Sequence, residues 1–115
     1  MKDGDRMFII KENSTMMAVS KGDSGYFTVT ITGDIPPNGT EALFTVKRKL
    51  GKSASIIKHL TVIDGEVLIE LTSHDTNKLE PGDYYWDLRI IFSETEVATP
   101  VPPSLFKVLE VAGDV

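Results

Sequence analysis

The sequence predicts an all-β fold, either a sandwich or a barrel. Three observations carry that expectation. Apolar and polar residues alternate with period two in a series of short runs. Turn residues break these runs about every 8–12 positions. No stretch carries the helical period over a useful length. About seven or eight strands are expected. With 115 residues the chain has the length of one domain. Residues 1–115 are therefore read as a single unit, with 1–15 as either an extension or the first strand.

At the front, residues 7–10 (Met-Phe-Ile-Ile) and 16–20 each read as a short strand. Lys21-Gly22-Asp23-Ser24-Gly25 follows, and its GDSG letters are those that surround the nucleophilic serine of trypsin-like proteases. A triad of that kind needs a histidine ahead of the serine. Both histidines here, His59 and His74, follow Ser24. Two glycines that tolerate positive φ, flanking two side chains that bond nearby amides, make a tight turn instead. Residues 26–32 then alternate cleanly, with Phe27, Val29 and Ile31 on one face and Tyr26, Thr28, Thr30 and Thr32 on the other.

Gly33 to Gly39 carries two prolines and an Asn-Gly pair and reads as a loop. Residues 41–48 form the next strand, with Ala42, Phe44 and Val46 on one face. Gly51-Lys52-Ser53 breaks the chain. Residues 56–62 and 66–72 are strands joined at Ile63-Asp64-Gly65, where Asp-Gly signals a hairpin. In the second of these, Val67, Ile69 and Leu71 face inward. Residues 73–82 are polar and read as a crossing from one sheet to another, with a helical turn near 75–79. Residues 83–92 are the strongest strand, and Tyr84, Trp86, Leu88, Ile90 and Phe92 are assigned to the core. After a turn at 93–95, a last arm begins at 96–98. Pro100, Pro102 and Pro103 interrupt it before it resumes over 104–111, which marks an edge or a bulge.

Composition narrows the function. Twelve Lys and Arg against seventeen Asp and Glu give a net charge of −5, the wrong sign for gripping a nucleic-acid backbone. Lys47-Arg48-Lys49 is too small a cluster to reverse that. The absence of cysteine excludes disulfides, thiolate catalysis and Cys-ligated zinc, and leans toward folding in the cytoplasm. The longest apolar run near the front has four residues, short of the roughly 7–15 of a secretory leader. No run approaches the roughly 18 of a membrane span. His59 and His74 lack carboxylates at metal-binding spacing, and neither Asp3-Gly4-Asp5 nor Asp83 with Asp87 matches a calcium loop. Neither a cofactor nor an acid–base pair for catalysis is expected.

Residues 79–111 carry a longer pattern: Leu-x-Pro-Gly-x-Tyr-x-x-Asp-Leu, a short turn, a Thr-Pro arm and Phe-x-Val. Upstream stand Lys21-Gly22-Asp23, Ile35-Pro36, Phe44-Thr45-Val46-Lys47, and the link Asp75-Thr76-x-x-Leu79-x-Pro81-Gly82. The pattern resembles the small immunoglobulin-like β-sandwich domains of phage baseplate and tail proteins, including the N-terminal domains of baseplate upper proteins. It departs from many relatives in having Pro103-Ser104 in place of a glycine. The resemblance covers most of residues 16–111 and implies an immunoglobulin-like antiparallel β-sandwich without catalytic residues. It further implies a structural or adaptor part of a phage or prophage virion, made in the bacterial cytoplasm. Such parts are often assembled in several copies and contact other tail or baseplate proteins.

Contact residues would then be surface ones. Phe8, Ile9, Ile10, Met16 and Met17 lie outside the best core strands, and methionine-rich apolar surface suits adaptable contacts. The same residues could equally be the first strand pair. Tyr85 faces away from the core stripe with Asp87 and Arg89, where its hydroxyl can meet a partner. A carbohydrate-binding or adhesion module, with Tyr84, Tyr85 and Trp86 as a stacking platform, is the alternative.

Overall fold

The computed structural model describes residues 16–49 and 53–111. Phe8, Ile9 and Ile10, the expected strand over 7–10 and most of the Gly51-Lys52-Ser53 break lie outside that range. The chain is all-β. Its strands are β1 (Met17–Ser20), β2 (Gly25–Thr30), β3 (Glu41–Lys47), β4 (Ala54–Thr61), β5 (Glu66–Leu71), β6 (Gly82–Ile91) and β7 (Val97–Leu109), with one helical turn, α1 (Ser73–Asn77). Strands β1-β7-β6-β3-β4 form one sheet in that order, and β2-β5 form a second.

The alternating residues build the core as their parity requires. Ala42, Phe44 and Val46 of β3 are buried, as are Val67, Ile69 and Leu71 of β5 and Tyr84, Trp86, Leu88 and Ile90 of β6. The β2-β5 pair lies across the inner face of the larger sheet, where the Phe27 ring meets Phe44 at 6.1 Å and Trp86 at 5.7 Å, edge-on. Phe44 and Trp86 meet each other at 5.8 Å. These separations are those of favourable aromatic pairs. Three strands from both sheets are thereby locked around one cluster.

Four expectations need correction. The sheets are not antiparallel throughout, because β1 runs parallel to β7, with Met17 opposite Phe106 and Ser20 opposite Leu109. The chain reaches β1 before crossing to β2 in the other sheet, so no hairpin dictates an antiparallel partner.

The Asp-Gly pair does form its tight turn, with φ of 51° at Asp64 and 77° at Gly65, and Ile63 bridges Glu66 across it. It does not close a hairpin within one sheet. Val62 exchanges hydrogen bonds with the Gly39-Thr40 segment at 2.8 and 2.9 Å. β4 therefore stays with β3, while β5 pairs with β2.

The last arm is not interrupted: β7 is one strand of 13 residues. Its register against β6 shifts twice, with Trp86 opposite Ser104, Leu88 opposite Val101 and Ile90 opposite Ala98. Each two-residue step on β6 faces three on β7, which is a bulge. Pro102-Pro103 fill the first bulge and Thr99-Pro100 the second. Since β1 pairs only with residues 106–109, no ladder bond from a described residue on that side asks these prolines for an N–H.

Phe92 is not in the core. It is 42% exposed, because β6 ends at Ile91 and β3 begins at the paired Glu41. Among the described residues no neighbouring strand extends far enough to cover it, and its N–H closes the β6–β7 turn on Glu96 O at 2.9 Å.

Candidate assembly surface

The turn that raised the serine-protease question is held in place by α1. Thr76, fully buried, donates from Oγ1 to Asp23 O at 2.7 Å and accepts from Gly22 N at 3.0 Å. Lys21 Nζ donates to Asn77 O and, at 2.8 Å, to Leu79 O, satisfying carbonyls at the end of the helical turn. Gly22 takes φ of 88°, a conformation that side chains disfavour. The Lys-Gly-Asp and Asp-Thr-x-x-Leu motifs, far apart in sequence, are therefore two halves of one contact. Ser24 lies exposed on the way into β2.

α1 is itself fixed by a capping box. Thr72 Oγ1 accepts from Asp75 N at 3.0 Å, and Asp75 Oδ2 accepts from Thr72 N at 2.8 Å. Lys58 Nζ reaches the same carboxylate at 2.7 Å. Burial pushes the Asp75 carboxyl up, but the Lys58 and Thr72 hydrogen bonds outweigh it and hold it below its ordinary value. The group is spoken for by structure.

His59 on β4 lies 3.1 Å from Glu41 at an exposed sheet edge, and His74 is exposed on α1. Asp83 lies 3.6 Å from Lys107 across the β6–β7 ladder. Among the described residues, no three His, Cys, Asp or Glu side chains converge as a metal site would require.

The outer face of the five-stranded sheet has a different character. Register sets Ile57 beside Thr45 and Thr45 beside Asp87, and it sets Lys47 beside Tyr85 and Tyr85 beside Leu105. Ile57 is 55% exposed and Tyr85 37%, while Leu43, Thr45 and Leu105 are half-buried. Tyr85 also borders a shallow hollow of about 240 Å³ with Thr45, Lys47, Asp87 and Pro103. Within it, Asp87 Oδ1 is buried and makes no hydrogen bond among the described residues. Burial raises the Asp87 carboxyl above its ordinary value, against the pull of Arg89 and Lys47.

A second recess lies between β1 and the start of β2. It measures about 480 Å³ and is lined by Met16, Met17, Val19, Ser24, Tyr26 and Leu109, among others. Met17 points inward and packs against the core, whereas Met16, just ahead of β1, is exposed. Thus Met16 and Met17 come together in one place, and Tyr85 lies on another face.

Tyr84 and Trp86 are buried, so neither ring is open to stack on a sugar. Among the described residues the most exposed aromatic is Tyr26, at 73%. Sequence reasoning assigned it to the outer side of its strand without singling it out; that outward parity was the available signal. Ile57 was hidden differently. Its neighbours Ile56 and Leu60 are also apolar, so the sequence alone does not say which side of β4 faces water.

No protein-family model matches the chain, and no curated protein matches it.

Proposed function

We propose that the chain is an immunoglobulin-like β-sandwich domain that works as a non-enzymatic structural or adaptor part of a phage or prophage tail or baseplate. It acts by protein–protein contact within the virion. Support for the phage setting comes from the sequence resemblance, and support for a contact role comes from the outer face of the five-stranded sheet. The observation that carries the reading is the exposure of Ile57 and Tyr85 in two neighbouring cross-strand rows of one face, Ile57–Thr45–Asp87 and Lys47–Tyr85–Leu105, together with a buried Asp87 oxygen without a hydrogen bond among the described residues. A solvated sheet face ordinarily presents polar side chains, and a buried acceptor left without a donor is costly. A partner that covers this face with apolar side chains and offers one N–H or O–H to Asp87 removes both costs.

The test uses the full chain, light scattering over micromolar to near-millimolar concentration, and the purified products of the genes beside its own. The reading expects a mass that rises with concentration or a stable complex with one such neighbour. Either should be lost in an Ile57→Lys/Tyr85→Lys variant whose circular dichroism is unchanged. A chain that stays monomeric, binds no neighbour and instead retains a sugar on a glycan array would replace assembly with adhesion.

A further inference from the structure

β4 and β5 part from each other directly after their shared turn. Ile63 and Glu66 bridge across it, but beyond that point β4 stays with β3 and β5 with β2. A hollow of about 570 Å³ opens where they part, lined by His59, Thr61, Ile63, Asp64, Glu66 and Leu68, among others. Ile63 and Leu68 leave about half of their surface exposed.

The backbone groups that border this hollow have a defined direction. Val62 N donates to Thr40 O at 2.9 Å. In an antiparallel ladder bonded and non-bonded pairs alternate, so Leu60, opposite Ala42, also exchanges bonds with β3. His59 and Thr61, on either side of Leu60, direct their N–H and C=O groups away from β3. On the other strand, Ile31 N donates to Gly65 O at 2.8 Å. By the same alternation Val67 and Ile69 exchange bonds with β2, and Leu68 between them turns its N–H and C=O away from it. β4 and β5 each stand last in their sheet among the described residues. Two open strand edges therefore meet at one hollow, which His59, Thr61 and Leu68 all line. An edge of this kind is a template for a further strand.

Charge selects the occupant. Among the described residues the lining includes Asp64 and Glu66 and neither lysine nor arginine. Glu41 adds a third carboxylate, 3.1 Å from the His59 ring. We propose that this seam binds an extended segment of a partner protein that carries both basic and apolar side chains, and that the segment adds as a strand to the edge of β4. The N–H and C=O groups of His59 and Thr61 supply its ladder bonds. Its apolar side chains cover Ile63 and Leu68, and its basic ones meet Asp64 and Glu66. A second copy of this chain, with a net charge of −5, is a poorer electrostatic match for the seam.

Nuclear magnetic resonance on the isotope-enriched full chain tests the proposal. The probe is a hexapeptide alternating lysine and valine, blocked at both ends and titrated to millimolar concentration. In the free chain the His59, Thr61 and Leu68 amides should exchange faster than those of Leu60 and Val67. The probe should shift these three resonances and slow their exchange about tenfold or more. A hexapeptide alternating glutamate and valine should do neither. Thr61→Pro removes an N–H that faces the hollow and no ladder bond to β3, so it should weaken the probe about fivefold, the value of one hydrogen bond. Leu68→Lys places a like charge at an exposed position in the seam and should abolish the response, and it carries the test if the proline variant fails to fold. Three amides already protected in the free chain would mean that the edge is covered by the chain itself, and would overturn the proposal. So would an equal response to both peptides, an unchanged response in Leu68→Lys, or no shift at these residues. Thr61 stands opposite Glu41 and Tyr85 opposite Lys47, at the two ends of β3, so this proposal and the assembly reading fail separately.

Discussion

Replacing Thr76 with valine should loosen the lock between the Lys-Gly-Asp turn and α1 while leaving the shape of the side chain intact. Thr76 Oγ1 makes two long-range hydrogen bonds, 2.7 Å to Asp23 O and 3.0 Å from Gly22 N. Each contributes about 1 kcal/mol net. Valine also leaves the Gly22 N–H and Asp23 C=O without that partner. Asp23 is exposed and Gly22 half-buried, so water recovers most of that further cost. The expected loss is about 2 kcal/mol, which for a domain of this size lowers Tm by about 8 °C. Thr76→Ser keeps the hydroxyl and removes one methyl, costing about 1 kcal/mol. Urea unfolding followed by fluorescence of the single tryptophan, Trp86, reads both, because that residue is buried in the core. A Thr76→Val protein within about 0.5 kcal/mol of wild type, the range of an ordinary surface change, would refute the assignment of the turn as a structural clamp.

Other consequences follow from the same geometry. Asp75 has a lowered folded pKa, so the stability it contributes is present above the ordinary carboxylate range and lost as pH falls through the depressed value. The gap in urea midpoint between wild type and Asp75→Asn should therefore be wide at pH 7 and shrink steadily below about pH 4. Asp87 has the opposite sign: its raised pKa means that ionisation disfavours the folded state, so Asp87→Asn should stabilise the free chain at neutral pH. That advantage should vanish in acid, which thermal melts at pH 7 and pH 3 would show. Phe44→Ala removes a fully buried ring that touches Phe27 and Trp86, and should cost about 3–5 kcal/mol in the same urea assay. Gly82 has φ of 142°, and a Cβ there would stand 2.9 Å from Arg48 Nη2. Arg48 also donates to Tyr84 Oη at 2.9 Å, so Gly82→Ala should destabilise by about 1–3 kcal/mol, measured by calorimetry.

The sequence by itself determined the all-β class and most of the core. Period-two alternation names the buried face of a strand without reference to any partner, which is why Phe44, Val67, Ile69 and Trp86 could be read directly. It also determined where the chain turns, because Asp64-Gly65 and Gly22 adopt backbone conformations that few other residues tolerate. Only the tertiary structure decided which strands are neighbours. Asp64-Gly65 makes the same tight turn whether its flanking strands pair or part, and here Val62 bonds to Thr40 and sends them into different sheets. The prolines of β7 are tolerated because the strand bulges there and β1 is too short to reach them, neither of which is a local property. Parts of the surface were beyond local reading for the same reason. Alternation already turned Tyr85 outward, but whether Ile57 meets water, and whether Thr76 meets Gly22, depends on residues brought together across the chain, and such long-range pairing is set by the fit of whole faces.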